Sequence, residues 1–199
     1  MTIPRCPVIA LTSSVGGLAA TSYVLAHLPR DLPAAVVTVQ HITPDAESRL
    51  PEIYASATTL PVVAAASGQV LEAGRVHVAP PGQHTLVTGE GRLALIASGA
   101  FPPSRPSADL LLVTLAMAVR EAAIAVVLTG GGTDAAVGAA VVRSQGGAVL
   151  ATDEASSENF SMPAATIGRD DTRPEVMALH EVPARLVELA HRAAENLRA

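Results

Sequence analysis

The sequence predicts an α/β domain organised around an open, mostly parallel sheet, and three observations carry that expectation. The runs Val8–Leu11, Ala34–Val39 and Ile124–Leu128 are short, continuous and apolar, as strands covered on both faces are. Helical segments follow the first and third runs and lead into further apolar runs, giving one strand–helix–strand unit in each half of the chain. Each of the three runs also ends in polar or glycine-rich residues: Thr12-Ser13-Ser14-Val15-Gly16-Gly17, then Gln40-His41, then Thr129-Gly130-Gly131-Gly132-Thr133-Asp134. Open parallel sheets carry their reactive groups just beyond the carboxyl ends of their strands.

The elements follow in order. Val8–Leu11 leads into a helix from about Val15 to Leu28, and Pro29-Arg30-Asp31-Leu32-Pro33 is the return turn to the strand Ala34–Val39. Pro44-Asp45-Ala46-Glu47, with acidic residues in a first turn, predicts the next helix. Leu60–Ala64 reads as a short strand. Between Gly74 and Ser98 the runs Arg75–Ala79, His84–Val87 and Leu93–Ile96, separated by Pro80-Pro81-Gly82 and Gly89-Glu90-Gly91, predict an antiparallel meander. The proline-rich stretch Gly99–Pro106 is too long for a tight turn and is expected to cross the surface. Ser107 is a good N-cap for a helix starting at Ala108-Asp109. Strand Ile124–Leu128, helix Thr133–Ser144 and strand Gly147–Ala151 form the second unit. Met162-Pro163 opens a short helix with proline at a tolerated first position. The last helix, about Pro183 to Leu197, places Leu186, Leu189, Ala190, Ala193 and Leu197 at helical spacing.

Size and composition narrow the functions. A chain of 199 residues suits one domain, expected to span 1–199, that buries roughly 70% of its unfolded surface. A formal charge of −5 and a pI near 5.6 argue against nucleic acid or an anionic membrane as a partner. Two Phe, two Tyr and no Trp leave little for base stacking. The lone Cys6 cannot form an internal disulfide, so a reducing, cytoplasmic setting is expected. Met1-Thr2-Ile3-Pro4-Arg5 lacks a signal-peptide layout. Leu110–Val119, stopped by Arg120-Glu121, is the nearest approach to the roughly 18 apolar residues of a membrane span, so no membrane insertion is expected.

A Ser, a His and an Asp delivered at strand ends supply a nucleophile, a general base and a group to orient that base. Their chain order here, Ser, His, Asp, is not that of chymotrypsin, subtilisin or the α/β-hydrolases. Each residue also has a structural reading. Ser13 or Ser14 can cap the helix that follows, His41 can be a packed strand-end histidine, and Asp134 can cap its own helix. The residues alone leave Ser13 and Ser14 as equal candidates. A rival reading comes from the glycine loop, because Gly130, Gly132 and Ala135 match G-x-G-x-x-A and the next strand ends near Asp153, where a ribose-binding acid would fall. His77, His84, His180 and His191 show no metal-ligand spacing, and no metal or cofactor is expected. Cys6 has no activating neighbour in sequence, and Glu154 and Glu158 read as surface or loop residues.

Taken in order, the motifs resemble the catalytic domain of the chemotaxis-receptor protein-glutamate methylesterases (CheB). Ser14-Val15-Gly16-Gly17 is similar to the family's Ser-x-Gly-Gly turn, and Gln40-His41 to its second element. Ala79-Pro80, Arg105–Asp109, Leu128–Asp134, Glu154–Ser156 and Met162-Pro163 resemble later family segments, from Val8 to about Glu188. Thr12 and Ser13 stand where the family usually has Gly and a small residue. Val15 replaces Thr, Gly131 replaces Met, Thr133 replaces Asn and Ala135 replaces Gly.

The resemblance implies a doubly wound sheet flanked by helices on both faces, with a small antiparallel hairpin insertion. It implies a triad of Ser14, His41 and Asp134, and hydrolysis of glutamyl methyl esters together with deamidation of particular glutamines. The Val15 and Gly131 N–H groups would then bind the oxyanion. The expected partners are methylated chemoreceptor cytoplasmic helices or another methyl-esterified protein. This polypeptide is expected to stand without a receiver domain. The alternative is a non-catalytic relative that binds receptors or a signalling partner.

Overall fold

In a computed structural model of the chain, residues 6–45, 47–99 and 104–198 are described. Strands β1 (Val8–Ser13), β2 (Ala35–Gln40), β3 (Val62–Ala64), β4 (Val76–Val78), β7 (Ala123–Val127), β8 (Ala148–Thr152) and β9 (Glu175–Met177) form one parallel sheet in the order β3-β4-β2-β1-β7-β8-β9. Strands β5 (Gln83–Val87) and β6 (Leu93–Ala97) pair antiparallel in a separate hairpin.

Alternation along the central strands feeds two cores. Val8 and Ala10 of β1 point into one core with Leu111, Leu112 and Leu115, while Ile9 and Leu11 point into the other with Val24, Leu25 and Leu186. Helices α1 (Gly17–Ala26), α2 (Leu50–Ala57) and α6 (Val182–Asn196) cover the second face. Helices α3 (Ala108–Val119), α4 (Ala136–Ser144) and α5 (Ser161–Ile167), with the hairpin, cover the first. The chain winds from β1 through α1 to β2 in one direction and from β7 through α4 to β8 in the other. The connections therefore part between β1 and β7, which opens a crevice at their carboxyl ends.

Two expectations are corrected, and one further strand is found. The run at Arg75–Ala79 does not belong to an antiparallel meander: β4 lies in the main sheet, parallel to both β2 and β3. Val76, His77 and Val78 are buried, which a sheet interior requires and a surface ribbon does not. The helix expected from Pro44 begins at Leu50, where Pro51 and Glu52 occupy its first turn; Ala46 of the expected start lies outside the described residues. Strand β9 was not expected, because Glu175 and Val176 are exposed on a sheet edge and give no apolar run. Of the proline-rich stretch, residues 100–103 lie outside the described residues.

Candidate active site

Strand register brings the three polar clusters together. Ser13 of β1 is level with Gln40 of β2, and the His41 N–H donates to the Ser13 carbonyl at 3.0 Å. On the other side the Ser14 N–H donates to the Thr129 carbonyl at 3.0 Å. Gly130 is glycine because of what it faces: a Cβ there would lie 2.8 Å from Ser14 Cβ and collide with the sulfur of Met162. The glycine loop therefore serves the close approach of the two strand ends. The Asp153 carboxylate of the rival dinucleotide reading is taken up by the N–H and hydroxyl of Ser156.

Ser13 and Ser14 separate clearly. Ser13 is buried under α1, its hydroxyl 3.4 Å from that of Thr21. Ser14 is half-buried and lines a cavity of about 510 Å³ together with Val15, Leu18, Gln40, His41 and Glu158. Gln40 is held from behind by the hydroxyl of Tyr54, which donates to its Oε1 at 2.9 Å. Tyr54 itself is fully buried, and burial pushes its phenol up to about 12.

Asp134 sits 93 residues from His41 in sequence, yet His41 Nε2 is 2.8 Å from its Oδ2. The carboxylate does not cap its own helix. It caps the N-terminus of α3, accepting from the Ala108 N–H at 2.7 Å, the Asp109 N–H at 2.9 Å and the Ser107 hydroxyl at 3.1 Å. Helix N-termini present unpaired N–H groups and a partial positive charge, so an anion there is stabilised. Burial alone would raise the Asp134 carboxyl, but the hydrogen bonds from His41, Asp109 and Ala108 outweigh it and hold the group below the ordinary carboxylate range. An ionised carboxylate only accepts, so His41 Nε2 is the donor in that hydrogen bond.

The surroundings of Asp134 hold residues that sequence reasoning gave no part in the site. Asp109 returns the capping arrangement: its Oδ1 accepts from the Gly138 N–H in the first turn of α4 at 2.7 Å. Burial pushes its carboxyl up, and the negative charge of Asp134 adds to that. His84, from the hairpin, accepts the Ser107 N–H on Nδ1 at 2.9 Å. The Ser107 side chain accepts from Leu110, as its N-cap signal predicts. The one available signal was that cap, Ser107-Ala108-Asp109, which marks where an anion can bind but not which one.

Val15 is exposed, and its N–H has no hydrogen-bond partner among the described residues; the same holds for the Gly131 N–H. The Gly130 N–H, by contrast, donates to Asn159. Thr12, one of the departures from the family pattern, is buried and donates to the Val126 carbonyl. Ala135, another, adopts φ 87, a left-handed conformation that favours glycine. Among the described residues no three His, Cys, Asp or Glu side chains gather where a metal ion would be held. Nor is any helix there long and apolar enough to cross a membrane.

Fold and site together define a class: a doubly wound parallel sheet whose switch-point crevice carries an Asp-bound histidine beside a half-buried serine. Comparison with known proteins agrees with the fold and gives the family. The family model described as CheB methylesterase matches residues 9–186, and the chain belongs to that family. It is 36% identical over 185 residues to the protein-glutamate methylesterase FrzG of Myxococcus xanthus, covering 93% of this chain and 55% of that one. It is 37% identical over 182 residues to a protein-glutamate methylesterase/protein-glutamine glutaminase of the same species, covering 92% and 51%. The chain thus spans about half the length of these relatives. The crystal structure of the Thermotoga maritima CheB methylesterase catalytic domain superposes with a TM-score of 0.87 at 30% identity, covering 92% of this chain and 98% of that one.

Proposed function

We propose that this chain is a serine carboxyl-methylesterase that removes methyl esters from glutamyl side chains and releases methanol. The observation that carries the reading is the His41–Asp134 hydrogen bond at 2.8 Å, beside a serine lining the same cavity as His41. Ser14 Oγ attacks the ester carbonyl while His41 Nδ1 takes its proton. Asp134 holds the ring tautomer and stabilises the imidazolium that forms. The oxyanion is received by the Val15 and Gly131 N–H groups, each such donor being worth about 10²- to 10³-fold in rate. His41 then returns the proton to the departing methoxide, and methanol leaves an acyl-enzyme. Water, deprotonated by His41, hydrolyses it to glutamate and free Ser14.

The oxyanion donors are backbone groups, so the side-chain departures at Val15, Gly131, Thr133 and Ala135 leave them in place. The same steps with ammonia as leaving group deamidate glutamine, the second activity named for relatives. The substrate is a methylated chemoreceptor cytoplasmic helix or another methyl-esterified protein, met in the cytoplasm. The test is methanol release from methyl-esterified receptor membranes. Wild type is expected to release it, and Ser14→Ala to release it at least about 10⁴-fold more slowly. Full activity in Ser14→Ala would overturn the triad. No release by folded wild type would favour a binding relative instead.

A further inference from the structure

Glu158 has an unassigned charge in this site. It stands in the loop between β8 and α5, exposed, and lines the same cavity as Ser14, Val15 and His41. Apart from His41 it is the only titratable residue among those lining the cavity, and no Lys or Arg is among them, Arg105 lining a neighbouring cavity that shares His41. Its carboxylate lies over Gly16: a Cβ added there, at φ +76, would be 2.7 Å from Glu158 Oε2. Among the described residues Glu158 takes part in no ion pair.

Under the reading of Ser14 as nucleophile, on which this inference rests, a negative charge develops beside Val15 during the reaction. A carboxylate over the adjacent Gly16 raises the energy of that oxyanion. It also repels a substrate carrying acidic residues next to its ester. A cation on the substrate, seated at Glu158, offsets both effects. We propose that Glu158 is a specificity-determining residue, selecting glutamyl methyl esters flanked by Lys or Arg over those flanked by Glu or Asp. The chain's net charge of −5 works in the same direction at longer range.

The experiment measures methanol release from three peptides that differ only in having Lys, Gln or Glu beside the glutamyl methyl ester. At low salt, wild-type kcat/KM is expected to favour Lys over Glu by about five- to twentyfold, the range of two partly exposed charge effects. The preference shrinks in 1 M salt, where screening acts within about 3 Å. Glu158→Gln brings the ratio to within about twofold of unity, and Glu158→Arg reverses its order. Equal turnover of the three peptides by wild type, or an unchanged ratio in Glu158→Gln, overturns the inference and leaves the esterase reading intact. No turnover of any peptide by folded protein overturns both.

Discussion

The loops after β1 and β7 leave adjacent strands, yet they treat their polar side chains in opposite ways. Asp134, after β7, is buried and accepts four hydrogen bonds, from Ser107, Ala108, Asp109 and His41. Ser14, after β1, is half-buried, its hydroxyl makes no hydrogen bond among the described residues, and the Val15 N–H beside it is free as well. In the proposed mechanism the group that orients the histidine is thus fixed before any substrate arrives, while the groups proposed to meet the substrate are left unspent. Electrostatic catalysis favours that division, because donors already aimed at the oxyanion need no reorganisation during reaction.

The comparison is broken most directly by paired substitutions. Asp134→Asn is expected to lower kcat by about 10⁴-fold through the wrong histidine tautomer. It also places an amide against the N–H groups of α3, costing about 2–3 kcal/mol of stability. Ser14→Ala is expected to slow turnover by at least about 10⁴-fold as well, with stability within about 0.5 kcal/mol of wild type. Urea unfolding of both variants measures the difference; equal stability would show that the cradle around Asp134 is not structural.

A pH series extends the contrast to another committed group, His77, buried in β4 with Nδ1 on the Gln69 side chain at 3.1 Å. Burial, helped by the nearby Arg75, lowers it from 6.5 to about 4. The unfolded chain therefore binds a proton that the folded chain refuses between those values. Stability is full above pH 6.5 and falls as the pH drops towards 4, by about 3 kcal/mol from this residue. Denaturation midpoints of wild type and His77→Gln at pH 7 and pH 4 are expected to diverge accordingly, the variant losing less.

The smallest effect sharpens the picture within the β7 loop itself. Ala135 holds φ 87 immediately after Asp134, and an alanine there carries about 1 kcal/mol of strain that glycine does not. Ala135→Gly is expected to gain about 0.5–1 kcal/mol in thermal unfolding, with activity retained.

The strands that form the crevice were legible because each is an uninterrupted apolar run ending in polar residues, a pattern that burial on both faces imposes. The family motifs singled out Ser14, His41 and Asp134, whereas the residues alone left Ser13 and Ser14 equal, a choice that depends on β1 burying Ser13 under α1. Sequence periodicity failed where the deciding partners are distant. The parallel placement of β4 depends on β2 and β3 flanking it. The cradle of Asp134 depends on a helix that begins 26 residues upstream. His84 and Glu158 gave no local signal, since their significance lies in which cavity or helix end they reach.

The mutual capping of α3 by Asp134 and α4 by Asp109 has an evolutionary consequence. A descendant that gave up catalysis would still need an acceptor at position 134 to keep its two helices docked, so selection for folding alone would preserve the aspartate. Nothing among the described residues makes a comparable demand on the hydroxyl of Ser14. Among diverging copies of this domain, a retained aspartate therefore carries little news about activity, and the serine is the position at which a lapsed enzyme would first betray itself.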